Sequence, residues 1–163
     1  MSLLRRRRVP AAVRAVRLPP GERRTAWAVA SSGEPVVATD QALLLPEGRR
    51  LEWARIERAS WRPPQLTVVE VAPVEDTGAH HVLALDDEGD LPAVVRTSVT
   101  GSVAWSAHER LAPRGGVRVV GRRVPGRDAL GWQLVYDAGT DLDDPLVRAQ
   151  AEALLEGARR SIG

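Results

Sequence analysis

From Trp27 to Val103, short apolar runs alternate with polar residues, and each run is closed by turn-forming residues. This rhythm predicts strands over 25–30, 35–39, 42–45 and 50–53. The intervening turns are Ser31-Ser32-Gly33-Glu34, Asp40-Gln41 and Pro46-Glu47-Gly48. Residues 56–62 read as a linker feeding a fifth strand that Pro63-Pro64 breaks. Residues 66–71 carry Thr67, Val68 and Val69 in succession and read as a further strand. Residues 80–85 return as the seventh, with His81, Leu83 and Leu85 on one face. The polar segment 72–79 reads as a flexible loop. Leu91, Val94, Val95 and Val99 then change period to that of a helix, with Asp90 as its cap and Gly101 at its end.

The last third alternates again. Val103, Trp105, Ala107 and Leu111 suggest one strand, residues 117–124 a second, and residues 130–137 a third. Pro113-Arg114-Gly115-Gly116 and Pro125-Gly126-Arg127-Asp128 are the turns between them. Asp141 to Asp144 precede Pro145 and open a helix whose apolar stripe is Val147, Ala151, Leu154, Leu155, Ala158 and Ile162. That stripe must pack on something, and the three strands before it are the nearest surface. Glu156 and Arg160 stand four apart in the favourable order for a helical ion pair. At the other end, residues 1–8 read as disordered and 9–18 as a short helix with Val9, Val13 and Val16 on one side.

Composition changes this picture mainly through charge. With 44% hydrophobic and 27% charged residues the chain is globular in kind. All 23 basic side chains are Arg, so the high isoelectric point reflects the absence of Lys rather than a strongly basic protein; the net charge is only +2. The charges are unevenly placed. Residues 1–24 hold eight Arg against Glu22, a net of +7, and the remainder holds 15 Arg against 20 acids, a net of −5. A basic arm on an acidic body suggests a polyanionic partner; a solvated terminus is the plainer reading. There is no cysteine, no apolar run of membrane-spanning length, and no apolar stretch after the basic start, so a cytoplasmic protein is expected.

No catalytic set stands out. His80 and His81 are adjacent on one strand and point to opposite faces, and a metal site from His108 and Glu109 lacks supporting ligand spacing. Ser106 and His108 share a strand face with no orienting acid nearby in sequence. Asp137, Asp141, Asp143 and Asp144 suggest a calcium loop, but Leu142 and Arg148 occupy the positions that need Gly and Glu. Without lysine there is no phosphate loop, and no cofactor signature occurs. Five Trp and no Phe leave the indoles to fill the cores, with base stacking as the second reading. Arg114, Arg118, Arg122, Arg123 and Arg127 follow one hairpin; Arg118 and Arg122 share a face that reads as solvated first and as an anion contact second.

Residues 36–45, Val-Val-Ala-Thr-Asp-Gln-Ala-Leu-Leu-Leu, resemble the second hairpin of bacterial pleckstrin-homology-like domains, where a Thr-Asp pair turns the chain before a run of Leu. Residues 51–56, Leu-Glu-Trp-Ala-Arg-Ile, resemble the element that follows, and the chain as a whole is similar to proteins of high-GC bacteria. The resemblance covers about 80 residues. It implies an α+β fold: a seven-strand half-barrel over 19–103 plugged by its helix. A basic arm over 1–18 precedes it, and a small antiparallel β3α extension over 104–163 lies outside the usual domain. It also implies a non-catalytic module of the kind that binds other proteins, peptides or lipid head groups; no cofactor or metal is expected. Phosphoinositide-binding members use basic residues in the first inter-strand loop, and residues 31–34 carry none.

Three readings of function follow. The first is an interaction module that binds a partner protein or a second copy of itself through an exposed strand edge. In the second, Arg5, Arg6, Arg7 and Arg8, with Arg118 and Arg122, tether the protein to the anionic inner face of a membrane. The third and least favoured is nucleic-acid binding through the arm and the 114–127 hairpin.

Overall fold

The computed structural model describes residues 7–72 and 78–162, so the basic start at 1–6 and most of the polar segment at 72–79 lie outside the described residues. The fold is α+β. Strands β1 (Arg24–Ala30), β2 (Pro35–Thr39), β3 (Ala42–Leu44), β4 (Arg50–Glu52), β5 (Ile56–Arg62), β6 (Gln65–Glu70) and β7 (His80–Asp87) form one antiparallel sheet in the order β4-β3-β2-β1-β7-β6-β5. Residues 56–62 are themselves the fifth strand, not a linker feeding it: Trp61 pairs with Leu66 and Ala59 with Val68 across β6.

That order forces the sheet to roll. β4 and β5 sit at opposite edges, yet Glu52 ends one and Ile56 begins the other, with a single 3-10 turn at Trp53–Arg55 between them. Seven strands about 4.8 Å apart would make a flat sheet ~29 Å wide. Four Cα steps span at most ~15 Å. The edges must therefore approach each other. One apolar core accordingly collects Ala28 of β1, Leu43 of β3, Leu51 of β4, Ile56 of β5 and Leu66 of β6.

Helix α2 (Leu91–Ser102) closes this core with Leu91, Val95 and Val99, one side chain per turn. Two details depart from the sequence expectation. The Asp90 side chain makes no capping hydrogen bond; its backbone carbonyl accepts from Val94 N instead, at 3.0 Å. Gly101 lies inside the helix, which runs through Ser102 and passes directly into the next strand without a loop.

The second sheet has the order β10-β9-β8, from β8 (Val103–Arg110), β9 (Gly116–Arg123) and β10 (Leu130–Tyr136). Helix α3 (Pro145–Ile162) lies on one face, where Val147 and Ala151 meet Leu111 and Val117. Asp144 begins this helix by accepting from Leu146 N at 2.8 Å. Glu156 pairs with Arg159 at 2.6 Å rather than with Arg160. Further along the same face Trp105 and Trp132 meet edge to face at 5.7 Å. Gly121 lies opposite both in the ladder, and a Cβ there would stand 3.1 Å from the Trp132 ring. Gly121 lets the Trp132 indole lie close over the central strand.

The N-terminal segment packs on the outer face of the first sheet. Helix α1 (Ala11–Ala15) presents Val13, which with Val9, Val16 and Leu18 covers Val37, Leu44 and Trp27. Glu22, buried, pairs with Arg50 and pins the following turn to β4.

Candidate functional site

β5 is hydrogen-bonded on one side only, to β6. Along it Ala59 and Trp61 face inward and half-buried, and Arg58, Ser60 and Arg62 are exposed. Helix α2 runs past the free side without sealing it. Trp61, Ala59 and Leu66 on the strand side, with Pro92, Ala93 and Arg96 on the helix side, line a groove of about 630 Å³. Ala59 and Arg96 also line a second recess of about 270 Å³ that reaches Glu57, Val99 and Arg122. Among the described residues, Arg58, Arg62 and Arg96 form no ion pair. The groove thus has an apolar floor, one unpaired guanidinium, Arg96, on its helix wall and one unused strand edge.

Arg122 stops the groove. Its spacing from Arg118 placed it on a solvated face, but it is only 5% exposed. The two residues do share a face; Arg118, nearer the start of β9, is exposed, and Arg122 is covered where the second sheet abuts the first. Its Nη1 donates to Val99 O at 3.1 Å and Ser102 Oγ at 2.7 Å, and its Nη2 donates to Glu57 O at 3.0 Å. Gln133 Oε1 accepts from Nε at 3.5 Å. All four acceptors are neutral. Burial pulls the guanidinium pKa below its ordinary value, against the opposing influence of the Glu57 carboxylate.

Of the N-terminal run, Arg5 and Arg6 lie outside the described residues. Arg8 is exposed, but Arg7, expected in a disordered arm, is engaged. Its guanidinium lies 3.7 Å from the Trp27 ring centroid, 2.5 Å from Asp87 Oδ1, and donates to Asp87 O and Trp27 O at 3.1 and 3.3 Å. The exposed Asp87 at the end of β7 supplies the attraction, and the indole face supplies the seat.

Two polar nodes were not foreseen from the sequence. Buried Glu70, at the end of β6, accepts from His81 Nε2 at 2.6 Å and from Arg49. Burial pushes its carboxyl up, but the hydrogen bonds from His81 and Arg49 outweigh it and hold the pKa below its ordinary value. His80, on the opposite face, is exposed. The second node joins His108 Nε2 to Asp137 Oδ2 at 2.7 Å. This supplies the orienting acid that the sequence neighbourhood of His108 lacked. Gly116 admits the approach, since a Cβ there would fall 2.2 Å from Asp137 Oδ2. No hydrogen bond joins Ser106 to His108 among the described residues, so the arrangement is a dyad without a nucleophile. The only sequence signal for it was Gly115-Gly116, read as a turn.

Among the described residues no group of three or more His, Asp or Glu is placed to hold a metal ion. Asp141 accepts from Asp143 N at 3.0 Å, a local turn contact. No described helix is long and apolar enough to cross a membrane. Comparison with protein-family models, with curated proteins and with solved structures found no match for this chain.

Proposed function

We propose that this protein is a non-catalytic binding module that takes an extended, acidic segment of a partner protein as an added strand on the free edge of β5. The observation that carries this reading is the unpaired edge beside the β5–α2 groove. Strand addition supplies main-chain hydrogen bonds, and alternate side chains of the incoming strand enter the groove. Trp61 and Ala93 give those side chains apolar walls, and Arg96 in the groove, with Arg58 in the adjoining recess, favour carboxylates on the incoming segment. The strand order, the closing helix and the rolled sheet support a pleckstrin-homology-like module, the class that residues 36–56 resemble. Lipid recognition in the manner of that class has little support here. In the β1–β2 turn Ser31 Oγ hydrogen-bonds Asp86 at 2.8 Å, so the turn neighbours an acid rather than a base.

Selection of peptides from a random displayed library against the full chain tests the proposal. Enriched sequences should be acidic and β-prone, and Ala93→Trp, which fills the groove from an exposed helix position, should abolish the enrichment. An unchanged enrichment on that variant, or none on the parent chain, contradicts it. Light scattering on the unliganded chain adds a second arm: a dimer that Ala93→Trp dissolves would assign the edge to a second copy instead.

A further inference from the structure

The β9–β10 connection reaches back over the turn Trp53–Arg55 and leaves a cleft of about 600 Å³ between the two sheets. Arg55, Arg127 and Arg122 line it, with Trp132, Gln133 and Glu52. Three guanidinium groups therefore face one carboxylate, and that carboxylate is already engaged: Glu52 lies 3.3 Å from Arg50 Nη1. Arg55 and Arg127 are exposed and make no side-chain hydrogen bond or ion pair among the described residues. Arg122 is buried with neutral hydrogen-bond acceptors, and the Glu57 carboxylate reaches the cluster only through Gln133 Nε2, at 3.4 Å. A buried cation with no directly bonded carboxylate is costly, and an anion in the adjoining space would offset part of that cost. Low-dielectric walls concentrate the positive potential of the cleft.

We propose that this cleft binds a phosphate-bearing small molecule, its oxyanion held between Arg55 and Arg127 above Arg122 and beside the Gln133 amide. Planar guanidinium forks match phosphate oxygens in pairs, which favours this class over a monovalent anion. The volume exceeds what a bare phosphate needs and suits a small organic ligand. The site is distinct from the β5 groove and does not rest on the proposed strand addition. It sits at the junction of the sheets, so its ligand would tie them together.

Inorganic pyrophosphate is the probe, titrated into the nitrogen-15-labelled chain, with a parallel arm of phosphatidylcholine vesicles containing phosphatidylserine. Saturable binding should shift the Gln133 side-chain amide resonances, weaken with salt, and weaken at least tenfold in an Arg55→Ala/Arg127→Ala variant whose spectrum remains folded. Ala93→Trp should leave it unchanged, which separates this site from the groove. The proposal is overturned if pyrophosphate does not bind, if the double variant binds it equally well, or if only the vesicles bind.

Discussion

The two sheets of this protein solve the same problem with opposite chemistry. The first rolls until its edges approach each other and buries one apolar core under α2. The second buries one apolar face under α3 and turns the other toward the first sheet, where Arg122 and Gln133 are buried beside Val120. The first sheet is held by burial of area, which is insensitive to geometry at the level of a single hydrogen bond. The junction between the sheets is centred on one buried guanidinium that must meet Val99 O, Ser102 Oγ and Glu57 O together, with Gln133 reaching Glu57 beside it. Stability should accordingly fail in two different ways.

The largest effect should come from the rolled core. Leu91 is fully buried under the first sheet, and Leu91→Ala removes its contacts with both halves of that sheet. A loss of about 2–5 kcal/mol is expected in urea denaturation. The next should come from Arg122→Ala, which strips the donor from two carbonyls and a hydroxyl in a buried place. This costs on the order of 2–4 kcal/mol. Its signature should differ from that of Leu91→Ala. Amide exchange should quicken across β9 and the end of α2 while β1, β2 and β6 keep their protection. Uniform loss of protection would mean that the two sheets form one cooperative unit and that the contrast is false.

The contrast also explains what was legible in the sequence. Six strands of the first sheet follow from apolar runs closed by turn residues, because a buried core writes itself in the apolar positions of the strands that line it. Residues 56–62 were harder to read. Their inward residues after Ile56 are Ala59 and Trp61, flanked by Arg58, Ser60 and Arg62, a pattern that looks polar because alternate side chains face away from the core and only small Ala59 and half-buried Trp61 face in. Arg122 misled for a different reason. Arg at position 122 of an exposed-looking hairpin reads as solvated, and only the tertiary approach of β5 and α2 supplies its acceptors. The Glu70–His81 and His108–Asp137 contacts were invisible likewise, since each joins residues on different strands whose registers no local pattern sets.

Two smaller predictions sharpen the comparison. Arg7→Ala removes a cation–π contact and a partly exposed ion pair, and should lower stability by about 1 kcal/mol. Because Arg7 seats on Trp27 and Asp87, that change should loosen the N-terminal segment and leave the second sheet untouched. The smallest effect concerns pH. The Glu70 carboxyl is held below its unfolded value of 4.5, so its contribution is present above about pH 4.5 and is lost as pH falls through the folded value. Asp40, lowered by a backbone hydrogen bond from Arg23, works in the same direction. Glu70→Gln should flatten part of the acid limb of a stability–pH profile and leave the Asp40 share. An acid limb identical in slope to that of the parent chain would show that Glu70 gains nothing from His81 and Arg49.

The free edge of β5 remains the centre of the account, and amide hydrogen exchange on the full chain tests it most directly. With a selected acidic peptide bound, amides within Arg58–Arg62 should gain protection, and the edge strands β8 and β10 of the second sheet should not. Unchanged exchange at 58–62 under saturating peptide, or protection confined to β8 or β10, would contradict the assignment of β5 as the binding edge.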